Sequence, residues 1–404
     1  MVKYDKFLPV PGFKAAGLHC GIKKNKSKKD LSIIYSEKKA ISAATFTTNK
    51  VKAAPVQINM ENIKNENTQA IVINSGNANA CTGKKGFDDA MEMTLTTAKE
   101  LDLSSNEVLV ASTGIIGVSM PMDKIIPGIT KGVSLISNDG FDHAAEGILT
   151  TDSSTKTVSV EFTIDGKNII ISGMAKGSGM IHPNMATMLG FILTNASISK
   201  KMLQKALSHS VKDSFNMISV DGDTSTNDMV IILANESANN NTINLEDKNY
   251  IKFKKALGIV TVELAKMIAG DGEGATKLIE VNLSGSKTKE DAKLCAKSII
   301  TSNLVKSAFF GGDANWGRIL CSMGYSGGDF NPEYVNIFFE GENGKIQLVK
   351  DGMGLSFDED LAKKILLEDY IKIIVDLKDG KYSAKAWGCD LSYDYVKING
   401  AYRT

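Results

Sequence analysis

Long apolar runs and a surplus of one charge are both missing from this chain of 404 residues. No apolar run approaches the roughly 18 residues that a membrane-spanning helix needs, so no membrane span is expected. The formal net charge is only +1, from 47 basic and 46 acidic side chains, and no Lys/Arg cluster dominates either half. We therefore expect no nucleic-acid partner and a small-molecule substrate.

Cysteine and histidine are also scarce. The five cysteines are odd in number, scattered and without a CxxC pair, which is typical of reduced thiols in the cytoplasm. The first residues lack the apolar stretch of a signal peptide, which again favours a cytoplasmic protein. Four histidines without an HExxH motif leave little for a zinc site, so no metal is expected.

Hydrophobic periodicity predicts a mixed α/β architecture of two or three packed units. The predicted elements are strands at 69–74 and 188–194 and helices at 87–101 and 247–269. Ser199 is predicted to cap the helix that follows the second strand. Gly270 is predicted to end the longest helix in a left-handed conformation.

The last hundred residues predict a smaller α+β unit at about 286–404. Two hairpin signals, Asn343-Gly344 and Asp379-Gly380, each lie between strand-like runs. Residues 393–398 (YDYVKI) also look like a strand leading to the end of the chain.

Several familiar catalytic motifs are absent. The chain has no GxSxG elbow, no Walker A loop and no GxGxxG that opens a helix. None of the four histidines, which are His19, His143, His182 and His209, lies in a recognisable triad context. The Asp-rich residues 221–228 lack the glycine and the glutamate of a calcium loop, so we predict a structural turn there.

The segment 176–189, KGSGMIHPNMATML, is the strongest candidate for chemistry. Two glycines and a proline predict an irregular backbone that ends at Thr187, immediately before a buried strand. Such a hydroxyl is placed for self-cleavage, in which Thr187 attacks the carbonyl of Ala186 and frees its own α-amine. That amine, with a pKa of about 7.7–8.0, would then act as the base for the hydroxyl. A glycine-rich turn before a core strand is the commoner case, so spacing alone leaves both interpretations open.

A set of motifs in a fixed order decides between self-cleavage and a structural turn, because together the motifs resemble one family. The motifs are PGFKAAG (11–17), FTTNKVKAAPV (46–56), NSGNANACTG (74–83), STGIIG (112–117), TTDSSTK (150–156), the segment above, VDGDTSTND (220–228), GDGEGATK (270–277), DANWGRI (313–319) and NGAYRT (399–404). In this order they resemble the ornithine acetyltransferase family, the glutamate N-acetyltransferases of arginine biosynthesis.

The resemblance implies an N-terminal-nucleophile-like fold, in which two sheets are sandwiched between helices. It implies a cut between Ala186 and Thr187 and two fragments, 1–186 and 187–404, that stay associated. Two copies of each fragment would form a heterotetramer.

The resemblance also implies the roles of individual residues. Thr113 and Gly114 resemble the pair that donates hydrogen bonds to the oxyanion. The implied substrate-binding residues are Thr151, Lys176, Thr187, Glu273, Asn399 and Thr404. Whether Thr150 or Thr151 faces the ligand stays open. Three residues depart from the family pattern: His182, which could tune the pH optimum, and Gly312 and Ala314, where the family has arginine and proline.

The implied reaction is a double displacement through an acetyl-Thr187 intermediate, from N-acetylornithine to glutamate. It requires no metal or organic cofactor, and acetyl-CoA as a second donor stays open. One alternative is an aminopeptidase or amidase of the same fold that gives its acyl group to water. Another is an amino-acid-binding protein without catalysis.

Overall fold

The structure is a computed structural model that describes residues 1–182 and 188–401. The strands are β1 (Val2–Tyr4), β2 (Phe13–Leu18), β3 (Leu31–Ser36), β4 (Ile41–Phe46), β5 (Ala70–Asn77), β6 (Val108–Ile115), β7 (Lys156–Ile164), β8 (Lys167–Lys176), β9 (Leu189–Thr194), β10 (Ile218–Ser219), β11 (Met229–Ala234), β12 (Leu278–Ser286), β13 (Asn336–Gly341), β14 (Gly344–Lys350), β15 (Met353–Gly354), β16 (Tyr370–Asp376) and β17 (Tyr382–Cys389). The helices are α1 (Ala54–Asn62), α2 (Gly83–Leu101), α3 (Met122–Ser134), α4 (Phe141–Gly147), α5 (Lys200–Lys212), α6 (Lys248–Gly270), α7 (Lys289–Thr301), α8 (Asn303–Gly311), α9 (Trp316–Gly324), α10 (Glu359–Leu366) and α11 (Tyr393–Ala401).

Two sheets face each other and form the centre of the molecule. The order of one is β1-β7-β8-β9-β11-β4, and that of the other is β2-β3-β5-β6. Apolar side chains from both inner faces pack into a shared core, among them Ile34, Ile71, Phe191 and Ile231. Helices α5 and α6 pack against the six-stranded sheet, and α2 and α3 pack against the four-stranded sheet. The predicted sandwich of two sheets between helices is therefore confirmed.

The predicted strand at 188–194 occupies the middle of the six-stranded sheet. Strand β9 runs parallel to β11, and every residue of both strands is buried. A strand covered on both faces needs a continuous apolar run, which is why the sequence identified it. The strand at 69–74, the helix at 87–101 and the Ser199 cap, which accepts a hydrogen bond from the Met202 amide, are confirmed as well.

A third sheet holds the carboxyl-terminal part of the chain, in the order β10-β17-β12-β16-β13-β14-β15. Its strand β12 begins before residue 286, and β10 comes from a much earlier part of the chain. Helix α7 packs against β12 and β17 and buries one face of this sheet. The carboxyl-terminal part of the chain thus contains both strands and helices, and its sheet also takes in strands from before residue 286.

The predicted Asp379-Gly380 hairpin is wrong, because the strands on either side of it do not pair. Both β16 and β17 are bonded to β12, which lies between them. The turn therefore passes around the end of β12, and Gly380 lies against the backbone of Ser286. The other hairpin is confirmed, with Glu342 and Asn343 as its two loop residues.

Two further predictions, the end of a helix and a strand, also need correction. Gly270 lies within α6 and has no left-handed conformation; the helix is capped by Asp271 at φ −94°. The Asp271 carboxylate binds the Lys156 ammonium, so a side-chain contact fixes the end of the helix. Residues 393–398 form part of helix α11 instead of a strand, and none of the residues of this helix is fully buried.

Among the described residues, no helix combines the length and the apolar character that crossing a membrane requires. All five cysteines carry free thiols.

Candidate active site

A cleft opens where β6 and β8 end and where β9 and β11 begin. Six of the predicted site residues line it together: Thr113, Gly114, Thr151, Lys176, Glu273 and Asn399. They come from five separate motifs, so the fold brings together residues that the sequence keeps far apart.

Ala186, Thr187 and Thr404 lie outside the described residues. The residue that follows Thr187 is described: Met188 is buried and lines the cleft. Its carbonyl accepts a hydrogen bond of 3.0 Å from the Met229 amide at the start of β11. The chain therefore passes from the candidate nucleophile directly into the core of the central sheet.

Lys176, the last residue of β8, carries a cation into this cleft. Its side chain is only 10% exposed, and its Nζ lies 3.3 Å from the Thr113 hydroxyl and 4.0 Å from the Asp152 carboxylate. Burial lowers the pKa of Lys176, and the nearby Asp152 charge partly offsets that effect. A desolvated ammonium of this kind binds a substrate carboxylate more strongly than a surface lysine does.

Asp152 is the shared anion that supports Lys176. Its carboxylate also accepts hydrogen bonds from the Lys156 ammonium at 2.8 Å and the Gly177 amide at 2.6 Å. Burial disfavours its charge, yet the Lys176 and Lys156 ammonium groups hold the pKa of Asp152 well below its usual value. Lys156 in turn contacts Asp271. This network of buried ions was not predicted, although Asp152 and Lys156 stand four residues apart in TTDSSTK.

Thr113 and Gly114 form the end of β6, beside β5. Gly114 has φ +134°, and a Cβ there would lie 2.4 Å from the carbonyl carbon of Gly76. Only glycine fits, because both the conformation and the close approach exclude a side chain. The Thr113 hydroxyl is held by Lys176. The two residues therefore line the cleft at a fixed place.

Glu273 and Asn399 lie far apart in the sequence but form a hydrogen-bonded pair at the cleft. The Asn399 amide on α11 donates to Oε2 of Glu273 at 2.8 Å. The Glu273 backbone amide donates to the Ser178 carbonyl at 2.9 Å. A Cβ on Gly179 would lie 2.4 Å from the Glu273 carboxyl carbon, so this glycine lets the carboxylate approach the loop closely. Glu273 thus supplies an anion to a cleft whose cation is Lys176.

Thr150 and Thr151 both line the cleft. The Thr151 hydroxyl shares a 2.7 Å hydrogen bond with the Ser178 hydroxyl. The Thr150 amide donates to Asp152 at 3.0 Å, and its hydroxyl lies 3.5 Å from the same carboxylate. Thr150 therefore supports the ion network, and the Thr151 hydroxyl interacts with the loop that precedes the candidate cleavage site.

The Asp-rich residues 221–228 hold that loop, as the predicted structural role requires. The Asp221 carboxylate accepts the amide hydrogens of Met180 at 2.6 Å and Ile181 at 2.8 Å. Met180 has φ +56°, so the backbone there adopts a conformation that few side chains favour. Asn227 donates to the carbonyls of Ala78 and Ser112 and joins the two facing sheets.

The structure shows the environment of each of the three residues that depart from the family pattern. Burial, followed by the charge of Lys297, lowers the pKa of His182 to about 4, so this histidine stays neutral near neutral pH and does not set a pH optimum there. Gly312 ends α8 in a left-handed conformation, φ +70°, which suits glycine better than arginine. Ala314 is half-buried against the core near α9.

In the part of the chain that the structure describes, no three His, Cys, Asp or Glu side chains are grouped as a metal site would require.

Comparison with known proteins gives a consistent result. A family model described as the ArgJ family matches residues 14–404. The chain is 57% identical over 395 residues to arginine biosynthesis bifunctional protein ArgJ 1 of Clostridium acetobutylicum, covering 98% of this chain and 97% of that protein. It is 54% identical over 393 residues to arginine biosynthesis bifunctional protein ArgJ of Caldanaerobacter subterraneus subsp. tengcongensis, covering 97% of each. The crystal structure of the Bacillus halodurans ArgJ protein shares 46% identity, covers 52% of this chain and 98% of that one, and has a TM-score of 0.49.

Proposed function

Because the chain belongs to the ArgJ family, we infer that it is an acetyltransferase of arginine biosynthesis, which moves the acetyl group of N-acetylornithine to glutamate. The cleft is the observation that links this function to particular residues. Six residues from distant motifs meet there beside Met188, the neighbour of Thr187.

The proposed chemistry is a double displacement at Thr187. The Thr187 oxygen attacks the acetyl carbonyl of N-acetylornithine, and its proton passes to its own α-amine, which cleavage has freed. The tetrahedral intermediate collapses, ornithine leaves with that proton on its amine, and an acetyl ester remains on Thr187. The amine of glutamate then attacks the ester and restores the hydroxyl. Thr113 and Gly114 donate hydrogen bonds to the oxyanion in both steps.

Lys176 and Glu273 give the cleft the charges that these substrates require. N-acetylornithine and glutamate both carry an α-carboxylate, which the Lys176 ammonium can bind in the same place. N-acetylornithine also carries a side-chain ammonium, which the Glu273 carboxylate can accept. Thr151 and Asn399 add neutral hydrogen-bonding groups, and Thr404 is proposed to complete the site. The scheme involves no metal or organic cofactor.

Acetyl-CoA is proposed as a second donor for glutamate, since the relatives are named bifunctional. One assay tests both activities: glutamate acetylation measured with N-acetylornithine alone and with acetyl-CoA alone. Acetylglutamate formed from N-acetylornithine is expected. Release of free acetate without transfer to glutamate would instead support the aminopeptidase or amidase alternative, which the relatives do not favour.

The processed assembly is also part of this proposal. We propose fragments 1–186 and 187–404, a smaller carboxyl-terminal unit from about 286, two copies of each fragment in a heterotetramer, and a cytoplasmic location. A denaturing gel should show two bands, whereas native mass spectrometry should show four associated fragments. A single intact band from active enzyme would contradict the cleavage.

Replacing Gly114 by alanine tests the oxyanion pair. The new Cβ would meet the Gly76 backbone at 2.4 Å, so the end of β6 must shift and move the Gly114 amide. Loss of one oxyanion donor typically lowers kcat by about 10²- to 10³-fold. Gly117→Ala is the matched control, because Gly117 also has a positive φ, +77°, but has no atom within 4 Å of a Cβ. Equal kcat values for the two folded variants would contradict this role of Gly114.

A further inference from the structure

A half-buried lysine that does not itself line the cleft, Lys23, holds a part of the chain that does. Lys23 lies in the loop of residues 19–30 between β2 and β3. Its Nζ donates a hydrogen bond to the Leu149 carbonyl at 2.6 Å, across 126 positions of the sequence. Leu149 directly precedes Thr150 and Thr151, which line the cleft. The ammonium group therefore holds the start of the turn that supplies these two residues.

The loop that carries Lys23 is fixed by a buried carboxylate. Asp30 is fully buried, and its carboxylate accepts the amide hydrogens of Cys20 at 2.6 Å and of Lys23 at 2.9 Å. The Lys23 ammonium also donates to the Lys29 carbonyl at 2.7 Å, which ties the side chain back to its own loop. Both the backbone and the ammonium group of Lys23 are held, so the contact with Leu149 is made from a fixed position.

The stem of the Lys23 side chain packs on the strand beside the oxyanion pair. A Cβ on Gly76 of β5 would lie 2.9 Å from Cγ2 of Ile22 and 3.3 Å from Cγ of Lys23. Gly76 is paired with Gly114 at the end of β6. Lys23 thus contacts the strand next to Gly114 with its stem and the turn after Leu149 with its ammonium group.

The turn that follows Leu149 carries contacts that organise the cleft. The Thr151 hydroxyl shares a 2.7 Å hydrogen bond with the Ser178 hydroxyl. The Asp152 carboxylate lies 4.0 Å from the Lys176 ammonium. Because Leu149 is joined to these residues by only a few peptide bonds, a shift of its carbonyl would move both contacts.

We propose that Lys23 is a positioning residue: by holding the Leu149 carbonyl, its ammonium group keeps the turn at 150–152 at a fixed distance from the end of β6. Lys176, which this turn supports, is proposed to bind the α-carboxylate of the substrate, and Gly114 is proposed to stabilise the oxyanion. Both groups of one substrate must be held at the same time, so the distance between their binding residues matters. This role rests on the proposed function of the cleft and adds to it a residue that does not touch the substrate.

Replacing Lys23 by methionine tests this role, because methionine keeps much of the length of the side chain and removes its donors. The turn can then move relative to β6. A misplacement of about 1 Å can cost about 10²-fold in rate, so kcat/KM for N-acetylornithine should fall by about 10- to 100-fold. A lysine that only stabilised the fold would lower the free energy of unfolding and leave kcat/KM of the folded enzyme unchanged. That result would overturn the proposal.

Lys29→Met is the matched control, because Lys29 joins the same loop to helix α4 without contacting the turn. Its ammonium binds the Glu146 carboxylate and lies 2.6 Å from Nδ1 of His143, both on that helix. Loss of these contacts should leave kcat/KM unchanged. An equal fall in both variants would show that any weakening between the loop and α4 is sufficient, and would rule out a specific role for the Leu149 contact.

Hydrogen exchange at the Thr150 amide, which donates to Asp152 at 3.0 Å, reports on the turn directly. Exchange should be faster in Lys23→Met than in wild type and unchanged in Lys29→Met. A fall in kcat/KM without faster exchange at Thr150 would mean that Lys23 acts elsewhere, and would also overturn the proposal.

Should Lys23→Met fail to fold, Lys23→Gln takes its place. The glutamine side chain is polar, but its amide ends one bond short of the lysine ammonium and cannot reach both carbonyls. Its kcat/KM should fall as well, and a wild-type value would contradict the role of Lys23. Failure of the proposed function is seen separately, as wild-type enzyme that forms no acetylglutamate; exchange at Thr150 would still test the contact with Leu149.

Discussion

Replacing Thr187 by alanine is expected to leave the chain uncut and to abolish acetyl transfer. Both reactions use the same oxygen, first on the Ala186 carbonyl and then on the acetyl carbonyl, so neither can proceed without it. Removing a covalent nucleophile lowers kcat by several orders of magnitude, on the order of 10⁴-fold or more. The measurement is a denaturing gel together with the rate of acetylglutamate formation.

Thr187→Ser is the matched variant for this change. Serine keeps a hydroxyl and, after cleavage, an α-amine, so it should retain part of both reactions. In wild type, the second fragment should begin Thr-Met-Leu-Gly on amino-terminal sequencing. Mass spectrometry after quenching with N-acetylornithine should place one acetyl group on fragment 187–404. An acetyl group on fragment 1–186, or normal turnover by the alanine variant, would assign the nucleophile elsewhere.

The central sheet could be predicted from the sequence because its strands carry their own signal. A strand buried on both faces must be apolar throughout, and β9 is. The Asp379-Gly380 turn shows the limit of local patterns. An Asp-Gly pair can connect two neighbouring strands or two strands that are separated by a third. Only the non-local pairing of both strands with β12 determines which connection forms here.

The polar part of the site was predictable only through family resemblance. In the sequence, Lys176 and Glu273 look like ordinary charged residues of loops. Their spacing does not indicate that the fold buries Lys176 and places Glu273 in the same cleft. Helix α11 is a similar case, since its residues YDYVKI alternate as a strand does. Its Asn399 reaches Glu273 across 126 positions of the sequence. Contacts of this kind depend on how the layers pack, which periodicity does not encode.

Replacing Lys176 by methionine should raise KM for both substrates. Methionine keeps the length of the side chain but removes the cation that is proposed to bind the α-carboxylate. A hydrogen bond to a charged group contributes about 1.5–3 kcal/mol, which corresponds to an increase of roughly 10- to 150-fold in KM. Because Lys176 also holds the Thr113 hydroxyl, kcat should fall too. Self-cleavage should persist, since it involves no substrate carboxylate.

Lys306→Met is the matched control for this substitution. Lys306 is also buried, but its ammonium donates to the backbone carbonyls of Cys389 and Asp390, outside the cleft. Its loss should lower the free energy of unfolding and leave KM unchanged in the folded enzyme. In the Lys176 variant, Asp152 keeps the Lys156 ammonium and the Gly177 amide, so the fold should survive. Unchanged KM in Lys176→Met would exclude the proposed contact with the carboxylate.

The pH dependence of KM tests whether the charge of the Lys176 side chain, and not its shape, is responsible for substrate binding. Burial lowers the pKa of Lys176, so the ammonium loses its proton at a lower pH than an ordinary lysine does. Since only the ammonium binds a carboxylate, KM of wild type for N-acetylornithine should rise as the pH increases through that pKa. The methionine variant has no charge to lose and should start from a high KM without this rise. Parallel pH profiles for the two enzymes would show that another group binds the α-carboxylate.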